Sequence, residues 1–240
     1  MPASPEPPAD TEQRPPSDLA PRWHTAALIA LIVAVAATGT LLTSRGIAVQ
    51  TPAAPASRSA AVYPQMLLVA WGLLFYVCRV GRPRNALPAL LGERWKSPGR
   101  ALTDVTLATS GWLLLKACEL LWMRLFATEA SASVTAMLPH SGPECVAWVI
   151  VSLSVGFSEE VVFRGYLQTQ LTAFTGRAGV ALVLQAVLFG LSHAEQGPGA
   201  MLRLAGYGLA LGALARWRRS LLPGILCHVW TNVASGLLHV

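Results

Sequence analysis

Charge is what this 240-residue chain has least of. Only 12% of its residues are charged, about half the roughly 25% of an ordinary soluble domain. Lysine occurs twice, at Lys96 and Lys116, and aspartate three times, at Asp10, Asp18 and Asp104. Three aspartates placed like this exclude an aspartyl dyad carried on two buried helices. The four cysteines, Cys78, Cys118, Cys145 and Cys227, lie scattered in apolar segments without a C-x-x-C pair. They read as small buried side chains rather than disulfides or metal ligands. H-E-x-x-H is absent, which removes the common zinc-protease motif. "GLSHA" is not G-x-S-x-G, and the "HAE" at 193–195 is followed by no P-C-x-x-C, so a zinc deaminase does not fit. No internal repeat is visible.

What is present is apolar surface. The chain is 53% apolar, with a mean hydropathy of +0.49. A bilayer-spanning helix needs about 20 mostly apolar residues. Seven runs are candidates: 26–43, 62–79, 103–126, 145–173, 178–193, 200–215 and 222–238. The fold expected is therefore all-α, a polytopic membrane bundle of about seven transmembrane helices. Residues 1–24, proline-rich and polar, read as a disordered tail. Residues 25–126 read as N-terminal transmembrane helices, and 140–240 as a separate C-terminal transmembrane domain. The first apolar run starts late and is followed by others, so it reads as an anchor rather than a cleaved signal.

The net charge of +6 does not point to nucleic acid, because the basic residues fall in short clusters between apolar runs. The loop 79–102 holds Arg79, Arg82, Arg84, Arg94, Lys96 and Arg100, and 216–221 holds Arg216, Arg218 and Arg219, whereas 127–144 and 194–199 hold none. With positive loops inside, the N-terminus is placed in the cytoplasm and the C-terminus outside. The partners expected are a lipid bilayer and a membrane-associated substrate, with no nucleic acid. Alanine, leucine and arginine usage suggests a bacterial plasma membrane.

Ionisable groups inside apolar runs are costly and are usually paired or functional. Lys116 and Glu119, three apart on one helix, can neutralise each other. Arg203, near a helix end, can extend to the interface. Gly208 and Gly212 make a small-xxx-small step suited to helix packing. The stretch "GFSEEVVFRGYL" (156–167) is different. Glu160 and Arg164 are four apart, in the favoured orientation for a helical ion pair. Glu159 points about 100° away, and Phe163 holds its i+4 position. A carboxylate taken out of water without a neutralising cation is what a general base requires.

Two further polar sites follow. "FGLSHA" sets Phe189 and His193 four apart near the end of the fifth helix, and "HVWTN" sets His228 and Asn232 four apart on the last. The fourth and fifth helices should meet in a hairpin near residue 176, with Glu159 seventeen residues before it and His193 seventeen after. Antiparallel helices bring such positions to equal depth, so the two side chains should share a pocket that His228 and Asn232 complete.

These three motifs, E-E-x-x-x-R, F-x-x-x-H and H-x-x-x-N in that order, resemble the CPBP family (CAAX proteases and bacteriocin-processing enzymes), also called Abi. The family is similar to the type II CAAX prenyl endopeptidase, an intramembrane glutamic protease. The resemblance covers about residues 145–238. It implies that Glu159 activates water with help from His193, and that His228 and Asn232 stabilise an oxyanion. Glu160 and Arg164 complete the first motif, with an orienting role assigned from their spacing. It implies no cofactor and no metal, and a membrane-associated protein or peptide substrate that can be lipidated. Three alternatives stay open. A metal-dependent variant would use Glu159, His193 and His228 as a two-histidine, one-carboxylate site. The other two are a small transporter with a polar pathway and a non-catalytic scaffold or immunity protein.

Overall fold

The structure of the chain, a computed structural model, describes residues 19–45, 55–79, 86–126 and 132–238. Most of the tail expected over 1–24 lies outside these residues, as do the middle of the loop 44–61, Arg82 and Arg84, and positions 127–131. Among the described residues all regular structure is helical, apart from an isolated antiparallel bridge between Gly92 and Ser220.

The elements are α1 (Arg22–Ser44), α2 (Pro55–Arg79), a short α3 (Ala86–Leu91), α4 (Pro98–Phe126), the single turn α5 (Ala132–Thr135), α6 (Gly142–Glu159), α7 (Gln168–Thr175), α8 (Ala178–Leu191), α9 (Pro198–Arg218) and α10 (Leu222–Leu237). A π-helical segment, Glu160–Leu167, joins α6 to α7 without a break, and a 3₁₀ turn, Ala194–Gln196, separates α8 from α9. The runs expected to be apolar and spanning fall on these helices, with 145–173 running through α6, the π-helical segment and α7, and 178–193 ending two residues beyond α8. Three stretches among the described residues have both the length and the apolarity to cross a membrane: Arg22–Ser44, Ala61–Arg79 and Gly142–Thr175. Ala178–Leu191 is apolar but shorter. α4 and α9 are long, yet they carry charges along their length. Large apolar side chains such as Leu31, Leu68, Phe75 and Leu114 face outward, the surface a lipid-facing bundle presents.

Local chemistry sets the ends of the motif-bearing rod. Ser141 caps α6 by accepting from the Glu144 N–H, while Glu144 accepts from the His140 N–H at 2.7 Å, a reciprocal cap that satisfies free helix-terminal donors. α7 stops at Gly176, which adopts φ 66°, a left-handed conformation that glycine reaches without a Cβ penalty. The hairpin thus falls where the sequence puts it.

Behind the hairpin, α8 and α9 approach closely. A Cβ on Gly208 would lie 2.8 Å from Ala186 Cα, and one on Gly212 would lie 2.6 Å from Gln185 Nε2. The small-xxx-small step is therefore a packing device. Gln185 Nε2 donates to the Gly208 carbonyl and Gln168 Nε2 to that of Gly212, using the backbone that the missing side chains expose.

α1 docks on the motif rod through a buried polar network. His24 Nδ1 lies 2.5 Å and Thr25 Oγ1 3.0 Å from the Tyr166 hydroxyl, and Gln170 Nε2 donates to the Ala20 carbonyl. The four cysteines are free. Cys227 is buried as expected, but Cys118 is exposed on the outer surface of α4, because an apolar outer face can carry it as well as a core can.

Candidate active site

The π-helical segment places the first motif. Glu160 and Arg164 are fully buried and joined, Arg164 Nη1 to Glu160 Oε1 at 2.9 Å, the pair expected from their spacing. The wider turn was not legible in the sequence. π-segments inside α-helices recur at functional sites, and here it carries the whole run from Glu160 to Leu167. Two partners stabilise the guanidinium besides the carboxylate. Its centre stands 4.2 Å above the Phe189 ring, and the Phe163 ring lies edge-on to Phe189 with centroids 5.1 Å apart. A desolvated cation over an aromatic face gains about 2 kcal/mol. Phe189, which the sequence showed only as one letter of a motif, is thus the hub of the site.

His228 comes from α10 and inserts between the two glutamates. Its Nδ1 lies 2.9 Å from Glu160 Oε1 and its Nε2 3.6 Å from Glu159 Oε2. A carboxylate only accepts, so the Nδ1 position carries a proton and donates to Glu160. The ring is thus tied to Glu160 through Nδ1. Nε2 can donate only when the ring holds its second proton. Spacing within one helix cannot reveal a contact across 68 residues. Gly224, one turn before His228, makes room: a Cβ there would stand 3.1 Å from Glu160 Oε2.

The two glutamates therefore differ. The Glu159 side chain is 21% exposed and the Glu160 side chain 0%. Glu159 opens on a cavity of about 670 Å³ that His193, His228 and Asn232 also line. α1 and α2 close its far side with Val35, Ala36, Val69 and Leu73. Four of the six residues singled out thus share one chamber. Glu160 and Arg164 stand behind it, against His228, Phe163 and Phe189, which line it.

His193 does not sit on α8, as expected, but in the turn just beyond it. α8 ends at Leu191 because Gly197 and Pro198 start a new helix. The ring is held from behind, with Nδ1 2.9 Å from the Phe189 carbonyl oxygen. A carbonyl only accepts, so Nδ1 carries the proton and Nε2 of the neutral ring is left as an acceptor. Asn232 is held through its backbone, whose carbonyl accepts from Trp148 Nε1 at 2.8 Å. Among the described residues, no group of three or more histidine, cysteine or acidic side chains stands close enough to hold a metal ion.

The neighbouring charges are arranged differently from expectation. Lys116 Nζ pairs with Glu119 Oε2 at 3.0 Å, as the spacing implies. Arg203 does not extend to the interface. Its Nη1 turns inward to Glu119 Oε1 at 3.3 Å, a partner on another helix.

These features define a class: a helical bundle of membrane type with a largely apolar chamber between its helices, into which carboxylate, imidazole and carboxamide groups are set. The sequence around that chamber matches a family model. Residues 141–234 match the family described as Rce1-like, type II CAAX prenyl endopeptidase Rce1-like. This bears out the resemblance carried by the three motifs, and the family is one of proteases. No curated protein and no solved structure matches the chain.

Proposed function

We propose that the chain is an intramembrane endopeptidase in which Glu159 activates the water that attacks the peptide carbonyl. Residues 140–240 form the catalytic domain. The single observation that carries this reading is the contrast between adjacent glutamates. Glu160 is locked between Arg164 and His228, while Glu159 faces the chamber with no arginine or lysine paired to it among the described residues and only His228 Nε2, at 3.6 Å, beside it.

The reaction then runs through groups already in place. Water held between Glu159 and His193 gives its proton to one of these acceptors as its oxygen bonds to the carbonyl carbon. General bases contribute about 10²–10⁴-fold in rate. Negative charge builds on the carbonyl oxygen, the Asn232 carboxamide N–H donates to it, and His228 Nε2 joins as a donor in the state where the ring holds its second proton. Glu160 holds the His228 ring through Nδ1, and Arg164 holds the Glu160 carboxylate in position through their ion pair. The captured proton passes to the leaving amine as the C–N bond breaks. The chamber excludes bulk water, which strengthens each of these interactions.

The walls from α1 and α2 are apolar, so the substrate is a membrane-associated protein or peptide, lipidated or not. The chain is an integral protein of a bacterial plasma membrane with its N-terminus in the cytoplasm, following the distribution of arginine among the loops. Comparative membrane proteomics of a deletion strain and a Glu159→Ala strain tests the reading. The same uncleaved proteins should accumulate in both. Substrates that persist in the deletion strain but are processed normally with Glu159→Ala would refute it.

A further inference from the structure

Two cations against one carboxylate leave a positive charge unmatched inside the bundle. Glu119 serves both Lys116 and Arg203. The other acidic side chains among the described residues are engaged or placed elsewhere. Asp104 binds Arg218, Glu93 binds Arg100, Glu160 binds Arg164, Glu144 caps α6, and Glu159 and Glu195 line the main chamber. Arg203 Nε is also buried with no hydrogen-bond partner. An uncompensated, partly desolvated cation is expensive, and this one does not face a packed wall. Lys116, Glu119 and Arg203 line a second cavity of about 100 Å³. Leu204, Tyr207, Thr231 and Ser235 border both this cavity and the main chamber. Ser235 lies seven residues beyond His228 on α10, about 10 Å along the axis at 1.5 Å per residue.

We infer that Lys116 and Arg203 form an oxyanion-binding subsite beside the main chamber, shaped for one carboxylate or phosphate group. The charge calls for an anion, the volume limits it to a small group, and the shared wall sets it directly beside whatever occupies the chamber. Two sources present that chemistry there: the terminal carboxylate of a short apolar peptide and the phosphate of an anionic lipid. The peptide source rests on the peptidase reading; the subsite itself does not.

The test is equilibrium binding without turnover. The full chain, in phosphatidylcholine nanodiscs, is titrated calorimetrically with an N-acetylated leucine tripeptide bearing a free carboxylate, and with its C-terminal amide. A charge-assisted pairing predicts that the acid binds about tenfold or more tightly than the amide. Lys116→Gln and Arg203→Gln should each bring the acid close to the amide; the first keeps the Arg203–Glu119 pair between α9 and α4, and the second keeps the Lys116–Glu119 pair within α4. Glu119→Gln frees both cations and should tighten the acid further, which a purely structural cluster would not do. In nanodiscs containing phosphatidylglycerol, a lipid source shows as lost preference for the acid. Native mass spectrometry should then find the lipid retained by the parent chain and released by Lys116→Gln and Arg203→Gln. That result supports the subsite and assigns it to lipid. Equal binding of acid and amide in phosphatidylcholine with no retained phosphatidylglycerol overturns the subsite, and so does a preference that survives both Gln substitutions. A chain that prefers the acid yet cleaves nothing fails the peptidase reading alone. One that cleaves peptides but ignores their terminal charge, and retains no anionic lipid, fails the subsite alone.

Discussion

Two charged clusters lie inside the helix bundle, and they are near opposites. Around the π-helical segment, two carboxylates meet one guanidinium and one imidazole. Between α4 and α9, two cations meet one carboxylate. In the first, the matched pair Glu160–Arg164 is wholly buried, and the leftover carboxylate, Glu159, opens on the large chamber. In the second, all three groups are partly exposed, and the leftover cation opens on the small one. The difference teaches where charge can be unmatched in such a bundle. Full desolvation demands a partner within the protein, whereas an excess is tolerated where a cavity gives it access to something else.

Breaking the sealed pair should have the largest effect on the fold. Glu160→Gln strands Arg164 and releases the His228 ring, and leaving one partner of a buried pair typically costs about 3–5 kcal/mol. Thermal unfolding in nanodiscs should show that loss together with lost activity. Stability equal to that of the parent would dissolve the contrast between the two glutamates. Asn232→Ala comes next and acts on chemistry. Removal of one oxyanion donor costs about 10²–10³ in turnover, about 2.7–4 kcal/mol. The Trp148 bond goes to the Asn232 backbone, so the helix should stay in place. Steady-state kinetics on a fluorogenic peptide should show kcat falling far more than KM rises. A raised KM with normal kcat would make Asn232 a binding residue. Phe189→Leu removes the ring under Arg164, and about 0.5–2 kcal/mol of stability should go with it. At the small end, Lys116→Gln should cost less than about 1 kcal/mol, since Arg203 still holds Glu119. A large loss there would mean that the second cluster is as tightly matched as the first.

Features that depend on neighbours along one helix were legible in the sequence. The Glu160–Arg164 and Lys116–Glu119 pairs, the Gly176 hairpin and the Gly208/Gly212 contact all follow from spacings of three, four or a turn residue. Convergence of Glu159 and His193 on one chamber was legible because equal distances from a hairpin mean equal depth, and His228 and Asn232 were placed with them as the last of the three motifs. Contacts between distant helices were not. Nothing in "HVWTN" says that His228 Nδ1 belongs to Glu160, and nothing near Arg203 says that it turns to Glu119. The π-segment was equally hidden, since its residues are ordinary helix formers apart from Gly165. The roof that α1 and α2 place over the chamber was hidden too, because no motif marks those helices.

The central claim is that the two adjacent glutamates divide their labour, Glu159 acting on water and Glu160 holding the site together. The most direct test compares Glu159→Gln with Glu160→Gln on the same purified chain, reading single-turnover peptide cleavage and thermal unfolding side by side. The account predicts that Glu159→Gln abolishes cleavage while unfolding at nearly the parent temperature, and that Glu160→Gln loses both. Cleavage that survives in Glu159→Gln would contradict it.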